Sequence, residues 1–577
     1  MASDFPAVPP HDLDRRRFLT GLGLASGSLA VASRLLAEGP PVITKEAVAE
    51  AEKLLGLELT DAEREMMVEG LGRLRDDFAK IRAVPLPNDV PPALRFAPLP
   101  PASLARTTAS AKRKSRPRKV ALPKVPSDLE ELAFAPVTVL SQLLTARKVS
   151  SLALTEMYLG RLKRFDPLLH CVVTLTEERA LARARQADRE IVAGHRRGPL
   201  HGVPWGAKDL FAVSGHPTTW GAEPYREQAF DEDATVVKRL DDAGAVLIAK
   251  LTLGALAMGD VWFGGRTRNP WNPEDGSSGS SAGSSAAVAA GLVGFALGTE
   301  TRGSIISPCT RCGTTGLRPT FGRVSRHGAM ALAWSMDKVG PIARCAEDCA
   351  LVFAAIHGPD GLDDVVDLPF AWDPGLEVRT LKLGFLKSAF EAAPEKGQEQ
   401  ERVADRTALE ALRSLGVQLV PIELPELPVN ALSFILTVEA AAAFDELTRS
   451  GKDDLLARQD KDAWPNLFRT ARLIPAVEYV QANRVRTLLQ RETEKIVAGL
   501  DGWVAPSFGN PTLRLTNLTG HPAVVLPHGF RDNGTPMSIT FTGALYGEQR
   551  LLALAKSYQD ATGLHLNHPS LATPPSA

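Results

Sequence analysis

One stretch of small residues constrains the fold of this chain more than any other feature. Residues 276–287 are almost wholly Gly, Ser and Ala, and residues 286–297 continue as an apolar segment. Backbone built from small residues can approach other backbone, or a ligand, very closely. A flexible linker has a similar composition, but a linker does not run into a segment that must be buried. We therefore expect a functional site here, with Ser284 or Ser285 capping a short helix.

Four further motifs flank this stretch in a fixed order. They are Gly202-Val203-Pro204-Trp205-Gly206-Ala207-Lys208-Asp209, Gly303-Ser304-Ile305, residues 337–344 (DKVGPIAR) and residues 517–523 (NLTGHPA). Together with residues 279–291 they resemble the signature of the amidase signature family, over about Pro136 to Gln559. The resemblance implies an α/β fold, an α/β/α sandwich around one large mixed sheet.

The resemblance also assigns catalytic roles, those of a Ser-cisSer-Lys amidohydrolase. Ser304 matches the nucleophile, Ser280 the bridging serine on a cis peptide bond, and Lys208 the base. A lysine can act as a base only if burial lowers its pKa toward the working pH. The oxyanion hole would consist of backbone N–H groups, those of Thr301, Arg302, Gly303 and Ser304.

A second assignment of the nucleophile comes from the residues alone. Residues 279–283 (GSSAG) match the G-x-S-x-G elbow of α/β-hydrolases, which would make Ser281 the nucleophile. That elbow follows an apolar strand directly, whereas residues 272–276 (NPEDG) are typical of a loop. The elbow is the weaker alternative.

Three positions depart from the family pattern. Glu300 stands where Asp is usual, Arg302 where Gly is usual, and Ile306 where Arg is usual. A side chain at Arg302 restricts the backbone there and could narrow or charge the pocket. We expect Glu300 and Arg302 to pair with each other. The departures bear on the class of substrate more than on hydrolysis itself.

Composition and periodicity agree with a large enzyme domain. With 577 residues, 44% of them apolar, the chain can bury a large core. A net charge of −1 and an aromatic content of 6% argue against a nucleic acid as the partner. Helical spacing from 139 to 162, strands at Val172–Leu175 and Ala243–Ala249, and a helix-rich region from 360 to 500 predict an α/β architecture.

The N-terminal part divides into two segments before the catalytic domain. Residues 1–40 hold Arg15-Arg16, a Gly- and Ala-rich apolar run and the small-x-small site Ala30-Val31-Ala32, which predict a twin-arginine export signal. We expect residues 41–135 to form two N-terminal helices, over residues 41–83, and a Pro-rich basic linker, and residues 136–577 to form the amidase domain. The enzyme is expected in the periplasm, or in the cytoplasm if the signal is not used.

The chain has five cysteines, which are candidates for a metal site or a disulfide. Cys309 and Cys312 have C-x-x-C spacing, but the sequence offers no second pair and no histidine pair at metal spacing. We expect inert packing thiols, although an exported protein leaves a disulfide open.

The sequence therefore predicts an amidase that hydrolyses a carbon–nitrogen bond in a small linear amide. No cofactor and no metal is implied, no nucleic acid or membrane span is expected, and a homodimer is left open. Two alternatives are a catalytically silent binding protein of the same fold and the amidase subunit of a glutamyl-tRNA amidotransferase.

Overall fold

The computed structural model describes residues 42–55, 57–86, 93–94, 124–394 and 396–571. The predicted export signal and the basic run of the linker, residues 112–119, lie outside these residues. Within the described part of the chain, residues up to Gly72 belong to one compact unit and residues from Arg73 onward to a second, much larger one.

Two helices precede the enzyme body, as predicted for residues 41–83. They are α1 (Lys45–Leu55) and α2 (Asp61–Arg82). A reciprocal pair of hydrogen bonds starts α2: the Thr60 N–H donates to Oε2 of Glu63 at 2.6 Å, and the Glu63 N–H donates to Oγ1 of Thr60 at 3.3 Å. This arrangement is a capping box, which satisfies two N–H groups at the start of a helix.

The larger unit is built on one mixed β-sheet, which confirms the predicted α/β class. The strands of the chain are β1 (Val172–Leu175), β2 (Pro204–Lys208), β3 (Val246–Leu251), β4 (Val261–Trp262), β5 (Gly265–Arg266), β6 (Arg268–Asn269), β7 (Asn272–Gly276), β8 (Phe295–Glu300), β9 (Thr315–Arg318), β10 (Lys338–Ala343), β11 (Lys382–Leu386), β12 (Gln418–Ile422), β13 (Gly502–Pro506), β14 (Ala523–Phe530) and β15 (Pro536–Gly543).

Eleven of these described strands form the main sheet, in the order β1-β3-β2-β8-β10-β9-β14-β15-β13-β11-β12. The neighbours β3-β2-β8 run parallel, as do β13-β11-β12, while the strands between them are antiparallel. The remaining four strands pair as two short ladders, β4 with β5 and β6 with β7. The parallel pairing of β2 with β8 brings the lysine motif beside the Ser304 segment.

The larger unit also contains fifteen described helices, and several of them pack against this sheet. They are α3 (Val137–Thr145), α4 (Ser151–Leu169), α5 (Glu177–Val192), α6 (Thr235–Asp242), α7 (Ala282–Ala289), α8 (Ile306–Cys312), α9 (Ala346–Ile356), α10 (Lys387–Glu391), α11 (Glu399–Ser414), α12 (Phe434–Ala443), α13 (Asp445–Arg449), α14 (Trp464–Ala471), α15 (Ala476–Val497), α16 (Thr512–Thr519) and α17 (Glu548–Thr562). Short 3₁₀ helices cover Leu129–Leu132, Glu223–Tyr225, Ala255–Ala257, Val378–Thr380, Val429–Ser433, Lys452–Leu455 and Leu564–Leu566. No described helix combines the length and apolar character needed to cross a bilayer.

The small-residue stretch folds around α7 and β8. The prediction that Ser284 or Ser285 caps this helix is wrong, because α7 begins before them, at Ala282. Both serines are buried inside the helix, where Oγ of Ser284 donates to the Leu297 carbonyl at 2.9 Å and Oγ of Ser285 donates to the Pro308 carbonyl at 3.0 Å. The two hydroxyls therefore fasten α7 to β8 and α8.

Candidate active site

A fully buried lysine lies at the centre of the candidate site. Lys208 is the last residue of β2, and its Nζ lies within hydrogen-bonding distance of three hydroxyl groups. The distances are 2.9 Å to Oγ of Ser280, 3.1 Å to Oγ of Ser281 and 2.8 Å to Oγ1 of Thr299. Sequence reasoning missed Thr299, because only the pairing of β2 with β8 brings its hydroxyl to Lys208.

Burial changes the acidity of this lysine. Removal of the ammonium from water lowers the pKa of Lys208 to about 7, even though the carboxylates of Asp337 and Glu300 oppose the shift. Desolvation disfavours the charged form of any buried amine. A substantial fraction of Lys208 is therefore neutral near pH 7, and a neutral amine can accept a proton.

The serine loop places two hydroxyls on Lys208. The peptide bond between Gly279 and Ser280 is cis. A Cβ on Gly279 would lie 1.8 Å from the Gly259 carbonyl oxygen, so only glycine fits there. Ser281 is buried and its N–H donates to the carbonyl of Ser304 at 3.1 Å, which ties the loop to the Ser304 turn.

Ser281 is a poor candidate for the nucleophile. Its Oγ lies in the core, within hydrogen-bonding distance of Lys208 and of both backbone groups of Thr299, each at 3.2 Å. It opens α7 and follows a loop rather than a strand of the main sheet. Ser304, by contrast, is only partly buried.

A tight turn from Thr301 to Ser304 joins β8 to α8. Within the described part of the chain, the four N–H groups of this turn donate to no acceptor. Gly303 has a φ of 110°, and a Cβ there would lie 3.2 Å from a methyl carbon of Leu513. The turn thus supplies N–H groups next to Ser304 in the chain that no described acceptor takes up, and an oxyanion hole requires free N–H groups of this kind.

The side chain of Glu300 stabilises this turn through hydrogen bonds to the residues that follow it. Its Oε2 accepts the N–H groups of Ile305 at 2.8 Å and Ile306 at 2.9 Å, and its Oε1 accepts from Nη1 of Arg318 at 2.6 Å and from Nδ2 of Asn517 at 2.8 Å. Burial opposes ionisation, but Arg318 and these N–H donors hold the pKa of Glu300 below its usual range. The carboxylate is therefore charged, and both of its oxygens accept hydrogen bonds.

The predicted pairing of Glu300 with Arg302 is wrong. Glu300 is fully buried and points into the core toward Arg318, whereas Arg302 is exposed to solvent. Ile306 is also fully buried, so an apolar side chain occupies the position where the family has arginine. Arg302 has no positive φ, and its backbone is therefore one that any residue can adopt.

Two further carboxylates lie close to the site. Asp337 accepts from Oγ1 of Thr301 at 2.6 Å and from the N–H groups of Leu332 and Ala333. Asp209 forms a fully buried ion pair with Lys250, with 2.7 Å between Oδ1 and Nζ. The first fixes the loop that follows β9 to the Ser304 turn, and the second anchors the chain directly after Lys208.

The cysteines take no part in this arrangement. All five are buried free thiols, so Cys309 and Cys312 are not bridged. Burial raises the pKa of Cys309 to about 12, which keeps the thiol protonated and unreactive at neutral pH. Among the described residues no cluster of His, Cys, Asp and Glu has the geometry of a metal site.

Sequence comparison now defines the family. The Amidase family profile matches residues 153–518. The chain is 33% identical over 491 residues to a glutamyl-tRNA(Gln) amidotransferase subunit from Chloroflexus aurantiacus, covering 77% of this chain and 100% of that protein. It is 32% identical over 469 residues to the corresponding subunit from Geobacter metallireducens, covering 73% and 96%. The chain belongs to the amidase signature family.

Solved structures agree with this assignment. The peptide amidase of Stenotrophomonas maltophilia superposes with a TM-score of 0.66 at 29% identity, covering 75% of this chain and 98% of that one. An amidase family protein from Bacillus anthracis gives a TM-score of 0.68 at 25% identity, covering 79% and 100%. Amide hydrolysis is therefore the activity that the family supports.

Proposed function

We propose that this protein hydrolyses the carbon–nitrogen bond of a linear amide through an acyl-enzyme on Ser304, with Ser280 and Lys208 as a proton relay. One observation carries the proposal. The Nζ of Lys208, with its lowered pKa, lies 2.9 Å from Oγ of Ser280 in a buried setting next to the Ser304 turn.

The first half of the reaction forms the acyl-enzyme. Neutral Lys208 takes the proton of Ser280, which takes the proton of Ser304 as its Oγ attacks the amide carbon. The N–H groups of residues 301–304 stabilise the tetrahedral oxyanion. The relay then returns a proton to the nitrogen, the C–N bond breaks, and ammonia or an amine leaves.

The second half of the reaction hydrolyses the acyl-enzyme, with water in place of Ser304 as the attacking group. A water molecule gives a proton to the relay and attacks the ester carbon of acylated Ser304. The tetrahedral intermediate collapses, the carboxylic acid leaves, and Oγ of Ser304 regains its proton. Lys208 ends in its neutral form, so the cycle needs no other proton donor.

Two alternatives remain to be separated from this proposal. The first alternative is an amidase subunit that works with partner chains, and the sequence identity to amidotransferase subunits supports it. A silent binding protein is disfavoured by the intact contact between Lys208 and Ser280. A purified chain that releases ammonia from simple amides on its own would support the amidase, whereas activity confined to glutamine with added amidotransferase partners would support the role in such a complex.

The test of the relay is the Lys208→Ala variant. General-base catalysis and nucleophile activation are worth roughly 10²–10⁴-fold in rate, and we expect a loss in kcat/KM within that range. Near-native turnover by a folded Lys208→Ala protein would show that Lys208 is not the base.

We further propose that the chain is exported by the twin-arginine route and acts in the periplasm. The support is the arginine pair Arg15-Arg16 and the Ala30-Val31-Ala32 site. Replacing both arginines by lysine should retain the precursor in the cytoplasm. An unchanged location and an unchanged N-terminal residue after that replacement would contradict export.

A further inference from the structure

A cavity of about 270 Å³ lies beside the candidate active site. Thr299 and Thr301 form its inner wall. Thr299 is the hydroxyl that Lys208 contacts at 2.8 Å, and Thr301 begins the turn that ends at Ser304. The cavity therefore borders both the hydroxyl groups around Lys208 and the turn that ends at Ser304.

The rest of the wall is largely apolar. It includes Leu210, Met330, Leu332, Trp334, Val339 and Leu362. Met330 and Leu332 are buried, while Trp334 is 52% exposed and Leu362 58% exposed. Two large apolar side chains that stay this exposed on the wall of a cavity offer contact area to a ligand.

The charged groups of the wall are already paired within the protein. Arg326 forms two hydrogen bonds with Asp363, with 2.8 Å from Nη2 to Oδ1 and 2.9 Å from Nε to Oδ2. Asp337 accepts from Thr301 and from two backbone N–H groups. Lys338 donates to the Met336 carbonyl, and burial holds its pKa well below the usual range. An anionic ligand entering this cavity would find no free cation on Arg326 or Lys338, and His327, the remaining basic residue of the wall, lies 3.7 Å from the carboxylate of Glu232.

We propose that this cavity selects amides that carry an uncharged apolar substituent, such as an aromatic ring on a short linker. The inference rests on the proposed amide hydrolysis. Size agrees with it: apolar cavities of roughly 150 Å³ hold benzene, so the volume here admits a ring and a few further atoms. A buried charge without a partner is strongly disfavoured, and anionic substituents are therefore excluded.

The test uses two matched series of amides. One varies the acyl group: acetamide, phenylacetamide, 3-phenylpropionamide and the charged succinamate. The other varies the amine: N-methylacetamide, acetanilide and its 4-carboxylate. In at least one series we expect kcat/KM for the aromatic amide to be roughly 10–200-fold higher than for the smallest amide. The kcat/KM for the charged analogue should be lower than that for the smallest amide.

Two variants connect this selectivity to the cavity. Ala331→Phe fills the space, and Trp334→Ala removes the exposed aromatic wall. Each should lower the ratio of kcat/KM for the preferred aromatic amide over the smallest amide by roughly tenfold. Leu455→Ala is the control, because Leu455 is 56% exposed and lies outside the cavity wall. Because Trp334 is exposed, its truncation tests the inference even if Ala331→Phe does not fold.

The outcomes separate the inference from the proposed function. Hydrolysis of small amides with no preference for the aromatic over the charged substituent in either series would overturn the inference alone. A preference that both cavity variants leave unchanged would overturn it too. Hydrolysis of none of these amides would contradict both the proposed function and the inference that rests on it.

Discussion

The guanidinium of Arg318 lies 2.6 Å from the carboxylate of Glu300, and both side chains are fully buried. This ion pair connects the end of β9 to the turn that carries Ser304. The other oxygen of Glu300 accepts the N–H groups of Ile305 and Ile306, directly after the turn from Thr301 to Ser304. The position of Ser304 therefore depends on a charge buried beneath it.

Glu300→Gln should weaken both stability and turnover. The amide preserves the shape but leaves Arg318 without a counter-charge, and losing one partner of a buried pair costs roughly 3–5 kcal/mol. Urea unfolding measures this loss. Because the pKa of Glu300 is lowered on folding, its contribution is present above about pH 4.5 and is lost as the pH falls below that value.

The control for this variant is Glu274→Gln, at an exposed glutamate on β7. It should leave both the free energy of unfolding and kcat/KM near their native values. If Glu300→Gln and Glu274→Gln had the same free energy of unfolding and the same kcat/KM, Glu300 would not support the turn.

The activity should depend on pH through Lys208. Only neutral Lys208 can accept a proton, and its pKa is lowered to about 7. We expect kcat/KM to fall tenfold for each pH unit below about 7 and to level off above it. A flat profile from pH 5 to pH 9 would contradict the assignment of Lys208 as the base.

Lys208→Met should raise stability while it removes activity. The folded pKa is below the unfolded one, so the unfolded chain binds more protons between about pH 7 and pH 10.5, and native stability rises with pH across that window. Methionine removes the cost of burying the amine. We expect a gain of roughly 1–4 kcal/mol below pH 7, with a flatter dependence on pH. A less stable variant would show that the hydrogen bonds to Ser280, Ser281 and Thr299 outweigh burial.

Gly303→Ala should distort the turn from Thr301 to Ser304, which is the proposed oxyanion hole. Its φ of 110° lies outside the region that alanine adopts easily, and the added carbon would crowd Leu513. Loss of a single oxyanion donor costs roughly 10²–10³ in kcat, and we expect a loss of that order. Gly534→Ala is the matched control, because Gly534 also has a positive φ of 78° but open space around it. A similar kcat in both variants would exclude the turn as the oxyanion hole.

Much of the fold could be predicted from the sequence because its signals are local. The strand Val172–Leu175 has the predicted bounds, and the buried strand near Ala243 was predicted three residues early and ends at Leu251 rather than Ala249. The expectation that Lys208, Ser280 and Ser304 share one site came from the resemblance to the amidase signature family and not from local signals. The catalytic roles of Lys208, Ser280 and Ser304 stay a prediction.

The partners of individual side chains could not be predicted in the same way. Glu300 and Arg302 are two residues apart, and sequence proximity favoured their pairing. The strand ends at Glu300, however, and only the packing of β9 and α16 places Arg318 and Asn517 within reach of its carboxylate. The contact of Thr299 with Lys208 depends in the same way on the register of neighbouring strands.

The most direct test of the account is the site of covalent labelling by a fluorophosphonate probe. Peptide mapping should find the adduct on Ser304, a partly buried residue in the turn whose four N–H groups have no acceptor among the described residues. Ser304→Ala should abolish labelling, with native labelling of Leu455→Ala as the control. An adduct on Ser281, or full labelling of a folded Ser304→Ala protein, would contradict the assignment of the nucleophile and the mechanism built on it.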